Sequence, residues 1–523
     1  MLTLRLELTA LALCLLCAAA GPASAAQRKS RHASQPSAGA RQGGARLQEA
    51  AALLRAGRLE EAEAVARRAV DASPRDAEPL ALLGVILGQR GRAEEAAAAL
   101  EQALRLAPGH EQATFNLGAI YASRKDYRRA IPLLEKAARL RNGQAPAGAD
   151  LALLVTLANA YAHAGRPEDS KRLFAQVEQR AGEDPRALFT LGLALADAGA
   201  YDRAARYFAL TDALRPDNYE VVFNLGLALF QLGKLEESQD ALRRAATLRP
   251  EEPEVFYRLG LVASARGESA NAIGLWQRAV KLRPAYAEAN FMIAEELVKN
   301  RRYETALQFY ESAVGQQPAE PLYPIRLGIA HFGLRNYARS HEVFRAALAR
   351  FPESPVLHYL AGYAARAEGL YDDALRYFRR SLELAPDNPA ALANVGFILG
   401  ERGEHAESER LLRRAIGLDR DNYPAHYDLG RLLVRLKRYD EALPVLERGA
   451  LLSKTDPGVH YQLFIALSRL RKKDEAERAL ATFRRLEEAR KAGGAPPAEP
   501  GGPVPADVLP PPEATAPGAA RRP

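Results

Sequence analysis

From about residue 43 to residue 490, apolar side chains recur at helical spacing in segments of roughly twelve to fourteen residues, separated by short polar turns. Such spacing gathers the apolar positions on one stripe and predicts amphipathic helices. The turns often hold glycine, as in Leu232-Gly233-Lys234 and Arg402-Gly403-Glu404. The helices pair into a unit that repeats. Gly192, Gly226, Gly260, Ala294, Gly328, Gly362, Gly396 and Gly430 stand 34 residues apart, and twelve residues after each comes Ala204, Ser238, Ala272, Ala306, Ser340, Ala374, Ser408 and Ala442. The pattern runs backwards through Gly84, Gly118 and Ala158 with partners Ala96, Ala130 and Ser170. A first copy has Ala50 and Ala62 in register; a last has Ala476 but Phe464 where glycine is expected.

Helices this short are marginal alone in water. They persist when one face is buried against the partner helix and the other against the next hairpin. The small residue in each helix lets the paired backbones approach, and a bulky side chain there would overpack the contact. Proline punctuates the units. Pro74, Pro108, Pro216, Pro250, Pro284, Pro318, Pro352 and Pro386 fall twelve residues after the second small residue and stop the second helix. Asp184-Pro185, Ser354-Pro355, Asn388-Pro389 and Asp456-Pro457 restart the chain with a capping residue and a proline at the first helical position.

Two small residues twelve apart and a proline twelve further on resemble the tetratricopeptide repeat (TPR) family. The resemblance implies an all-α fold, a right-handed superhelical solenoid of about thirteen helix-turn-helix repeats. The repeats read as 43–76, 77–110, 111–144, 151–184 and nine continuous copies from 185 to 490, with a short insertion at 145–150. The stop proline is replaced by Asn142, Gly182, Arg420 and Lys454, where junctions are expected to bend differently. The last copy carries Phe464 and Phe483 at usually small positions, and Leu480, Phe483 and Leu486 predict an apolar face on the final helix.

The ends read differently. Residues 1–26 have the form of a secretory signal: Arg5, an apolar run over 8–20, the breakers Gly21 and Pro22, and small residues Ala23-Ser24-Ala25-Ala26 for cleavage. Leu13 and Leu16 precede the two cysteines, Cys14 and Cys17, where a lipid-attachment site needs a small residue. Cleavage would leave a cysteine-free chain, compatible with an oxidising compartment. Residues 27–42 read as a flexible linker, and 491–523, rich in Pro, Gly and Ala, as a disordered tail. The expected location is the periplasm or cell envelope, or outside the cell, and the Ala/Arg/Gly-rich composition points to a bacterium.

Charge adds little. The formal net charge is +8 from 72 basic and 64 acidic residues, and the two signs are interleaved on helix faces. A nucleic-acid binder would gather its basic residues into a stripe, so no nucleic acid is expected. Beyond the signal, nothing approaches the ~20 apolar residues of a membrane span.

No catalytic pattern emerges, and no enzyme activity or cofactor is expected. His341-Glu342 lacks the second histidine of a zinc-protease helix. His358, His426 and His460 hold equivalent places before Tyr359, Tyr427 and Tyr461; no carboxylate or cysteine completes a metal site, and a packing role is favoured. His331 and Trp276 fall on core-facing positions.

A pair of ladders carries the candidate chemistry. Three residues before each small residue of the first helix stand Phe115, Val155, Phe189, Phe223, Tyr257, Phe291, Ile325, Tyr359, Ala393, Tyr427 and Tyr461. The next residue is often polar: Asn116, Thr156, Thr190, Asn224, Arg258, Arg326, Asn394, Asp428 and Gln462. In the TPR family the first helices line a concave groove, and in some members asparagines there hold the backbone of an extended peptide. The resemblance thus implies that Asn116, Asn224 and Asn394 bond peptide main chain, with Arg258 beside them. Phe115, Phe189, Phe223, Tyr257, Phe291, Tyr359, Tyr427 and Tyr461 would supply flat apolar contacts. No family-type clamp for a peptide C-terminus is complete in any three neighbouring copies. The expected function is a protein-binding scaffold of the cell envelope, assisting assembly of an exported or envelope complex. The alternative is a glycan-binding accessory module of polysaccharide synthesis or export, with the aromatic rungs stacked on sugars.

Overall fold

The computed structural model describes residues 38–141 and 147–492. Among these residues every regular element is an α-helix, 26 in all, and within the two units described below consecutive helices form twelve hairpins. The expected signal at 1–26, most of the expected linker and nearly all of the expected tail lie outside the described residues. Three boundaries need correction. The helix Ala38–Arg55 begins inside the expected linker, because its Ala, Gln and Arg residues favour helix once the apolar stripe from Ala50 is docked. The helix Ala147–His163 likewise begins inside the expected insertion, and Lys473–Ala492 runs past residue 490.

The described chain divides into two compact units, the first closing at Gly267 and the second opening at Glu268. In the first, six hairpins run from Ala38–Arg55 and Leu59–Ala72 to Tyr219–Gln231 and Leu235–Leu248, followed by the helix Pro253–Ala265. The second opens with Ser269–Leu282 and continues through six hairpins, from Ala287–Lys299 and Tyr303–Gln316 to Pro457–Arg469 and Lys473–Ala492. Within each unit, a helix packs on its hairpin partner and on the neighbouring hairpin.

The 34-residue period has a direct steric cause. At Gly84, Gly118, Gly192, Gly226, Gly328, Gly362, Gly396 and Gly430 the residue sixteen later lies on the glycine. A Cβ on Gly226 would stand 2.7 Å from Leu242 Cγ, and one on Gly396 equally 2.7 Å from Leu412 Cγ. The second small position closes the same contact from the other helix. Ser238 donates to the Gly226 carbonyl at 2.7 Å, Ser340 to that of Gly328 at 2.8 Å, and Ser408 to that of Gly396 at 2.6 Å. Each serine is buried with its hydrogen bond satisfied.

The predicted caps form. The helices starting at Pro185, Pro355, Pro389 and Pro457 are capped by Asp184, Ser354, Asn388 and Asp456, whose side chains accept from backbone N–H groups of the first turn. His110 caps Glu111–Ser123 through a 3.3 Å bond from Ala113 N to its Nδ1, a cap the sequence did not announce. Trp276 and His331 are buried, as their positions predict. His358 and His426 turn Nε2 to the carbonyls of Pro352 and Arg420, at 2.8 and 3.1 Å, tying each junction to the helix that follows.

Candidate functional site

The aromatic ladder sits on the same helix face as the repeat glycine, one turn earlier, and so faces the second helix of its own hairpin. Phe189 meets Phe208 with ring centroids 5.7 Å apart, Phe291 meets Tyr310 at 5.8 Å, and Tyr359 meets Phe378 at 5.6 Å. Phe115, Tyr257, Phe291 and Tyr359 are buried core side chains, which corrects the expectation that they offer flat faces to a ligand. Phe189, Phe223 and Tyr427 are half-buried. Phe223 stacks on Tyr219 at 5.4 Å, and Tyr427 on Tyr423 at 6.1 Å. Tyr461 is 43% exposed, its ring 5.3 Å from Phe483. Leu480, Phe483 and Leu486 on the final helix are half-buried.

The polar ladder spends much of its hydrogen bonding on its own helix. Asn224 Nδ2 donates to the Glu220 carbonyl at 2.7 Å, and Asn394 Nδ2 to that of Ala390 at 2.8 Å. Asn116 Oδ1 accepts from Gln112 at 3.2 Å, and Arg258 Nε donates to Glu254 at 2.7 Å. Asn116 and Asn394 are buried, so they do not stand open in the way the peptide-holding expectation requires, whereas Asn224 and Arg258 are half-buried. Asn116 Nδ2 and Asn394 Oδ1 nevertheless have no hydrogen-bond partner.

More surface chemistry lies where the sequence reading did not look: one and five residues after the small residue, on the stripe of the polar ladder at i, i+3 and i+7. At two junctions these positions pair between successive first helices, whereas other copies carry apolar residues there, such as Leu193, Leu227 and Ile329. In the first unit Asn159 and His163 reach Asp197 at 3.3 and 3.1 Å. In the second, Glu401 accepts from both Arg431, at 3.1 Å, and Arg435, at 2.8 Å. Arg435 also donates to the Gly400 carbonyl at 2.9 Å. The Arg431 and Arg366 guanidinium carbons each lie 5.2 Å from the Phe397 ring centroid. Asp428 lies 3.4 Å from Arg431, yet burial pushes its carboxyl up to about 6. Phe397, Gly400, Glu401, Asp428, Arg431 and Arg435 line a shallow cleft of about 200 Å³ including its open mouth.

Among the described residues, no group of three His, Cys, Asp or Glu side chains is arranged to hold a metal ion. No described helix is long and apolar enough to cross a membrane.

Models described as tetratricopeptide repeat match residues 43–68, 81–145, 121–188, 195–259, 257–321, 325–389 and 399–457, together well over half of the sequence. The chain belongs to the tetratricopeptide repeat family. Its repeats are of a kind that binds protein partners, and TPR folds are generally non-catalytic scaffolds. Among curated proteins none matches the sequence. Three solved structures of similar fold are yeast Tom70, the APC/C hetero-tetramer Cut9–Hcn1, and the C-terminal part of a TPR repeat-containing protein from Cytophaga hutchinsonii. The yeast Tom70 structure is 14% identical, covers 86% of this chain and 96% of its own, and has a TM-score of 0.31. The corresponding values for Cut9–Hcn1 are 14%, 80%, 95% and 0.35. For the Cytophaga protein they are 16%, 46%, 99% and 0.42.

Proposed function

We propose that this TPR chain is a non-catalytic scaffold of the cell envelope that holds protein partners on the surface of its first helices, assisting assembly of an exported or envelope complex. The observation that carries the reading is the pairing of charged and polar side chains between successive first helices. It places one polar cluster on the first-helix face of each unit. The second helices are instead tied by structural ion pairs: Glu63 accepts from Arg67 and Arg92 at 2.8 and 2.7 Å, and Glu409 from Arg413 and Arg438 at 2.8 and 2.6 Å. Recognition on the first-helix face would be a sum of many small contacts, with half-buried Phe223 and Asn224 among them.

The signal-like segment at 1–26 and the absence of cysteine after Cys17 support export. Burial of Phe115, Tyr257, Phe291 and Tyr359 takes away flat faces that sugar stacking would use, and this favours a protein partner over a glycan. The test is crosslinking in the native cell and affinity purification of the chain beside a Phe223→Ala/Asn224→Ala variant. A protein recovered with the natural chain and lost with the variant, at unchanged helix content, supports the reading. Identical recovery by both would sink the assignment to this face.

A further inference from the structure

We propose that the cleft between helices Pro389–Glu401 and Tyr423–Arg435 binds a carboxylate side chain of an acidic peptide segment, and that Glu401 occupies that place in the unbound protein. This deepens the scaffold reading and rests on it.

Glu401 is the observation that points to the ligand. Its side chain is 39% exposed, and its carboxylate is shared by Arg431 and Arg435 at the mouth of the cleft. A carboxylate at that spot already pairs with both guanidiniums, so the site's preferred guest is chemically the same group. Glu401 belongs to the preceding repeat and pairs with these two arginines, so turning it toward solvent exchanges one carboxylate for another. The arginines are held in place for the exchange. Arg435 is anchored by its bond to the Gly400 carbonyl, and Arg431 lies by the Phe397 ring, with Arg366 as the second cation at that ring.

The free form leaves hydrogen-bonding capacity unused. Arg431 Nε is buried without a hydrogen-bond partner. Its Nη2 is stretched between Glu401 and Asp428, at 3.1 and 3.4 Å. A buried donor without an acceptor is costly, and a small movement of Arg431 toward an incoming oxygen would relieve it. Size and charge select among anions. A planar carboxylate matches the forked guanidiniums in the place Glu401 vacates, and Asp428 beside Arg431 opposes a dianionic phosphate more strongly than a monoanion.

The test is fluorescence anisotropy of the full chain with a labelled, C-terminally amidated (Gly-Ser-Glu)₄ peptide, against its Gln-for-Glu counterpart and a Gln counterpart with a free C-terminus. The Glu peptide is expected to bind and the amidated Gln peptide not. Glu401→Gln should tighten the Glu peptide about five-fold, a gain that misfolding cannot imitate. Arg435→Gln should weaken it at least five-fold with the melting curve intact. Equal binding of both amidated peptides, or insensitivity to both substitutions, would overturn the proposal. So would binding confined to the free C-terminus, which would make the ligand a chain end. Loss of this site with partner capture still sensitive to Phe223→Ala/Asn224→Ala would leave the scaffold reading standing.

Discussion

Phe208 lies directly on Gly192: a Cβ added to that glycine would stand 2.7 Å from the phenylalanine Cε1. The two helices of the hairpin touch backbone to ring at this point, and Phe208 is wholly buried. The same relation, between a glycine and the Leu or Phe sixteen residues later, recurs through both units. The repeat period is therefore a packing constraint written as spacing.

Gly192→Val should cost about 2–3 kcal/mol, at the upper end of overpacking penalties. Gly274 provides the control. It lies in the middle of Ser269–Leu282 with nothing within 4 Å of its Cβ position, so Gly274→Ala should gain about 1 kcal/mol from helix propensity alone. Denaturant titration of both variants checks the pair. Equal effects would mean that the repeat glycine is not a contact residue.

Lys437 holds a left-handed backbone, φ 61°, in the turn between Tyr423–Arg435 and Tyr439–Leu452, where most other hairpins place glycine. A side chain there is strained, so Lys437→Gly should stabilise the second unit by about 1 kcal/mol. A raised urea midpoint with unchanged slope is the expected result.

Asp428 gives a pH dependence of known sign. Burial raises its carboxyl to about 6 against the opposing pull of Arg431 and Arg366, with Glu401 adding to the rise. Between about pH 4 and pH 6 the folded state therefore binds more protons than the unfolded one, and this group's contribution to stability falls as pH rises through that window. Asp428→Asn should gain on the natural chain by on the order of 2 kcal/mol between pH 4.5 and pH 7.5. Urea titrations at both pH values check this; a constant difference would show that the carboxyl titrates normally.

Much of the fold was legible because its determinants are local and repeated. Gly192 with Ala204, and Asn388 with Pro389, mean the same wherever they occur, since sterics and capping act within one hairpin. The helix starts at Ala38 and Ala147 were not legible. Their first turns carry no apolar stripe, and only docking of the residues that follow fixes them. The candidate site was legible in part. The sequence identified the first helix but chose the aromatic rung, which shares its face with the glycine and is turned inward at Phe115, Phe291 and Tyr359. Orientation depended on what stands nineteen residues later: Tyr310 for Phe291 and Phe378 for Tyr359. Arg431 and Glu401 escaped notice because their partnership crosses from one repeat to the next, and no single repeat displays it.

The most direct test of the scaffold account is to place a photo-crosslinking amino acid at Asn224, on the first helix, and in a second protein at Arg243, exposed on the second helix. After irradiation in the native cell, the account predicts a discrete protein adduct at position 224 and none at 243. Adducts at 243 alone, or the same adducts at both positions, would contradict it.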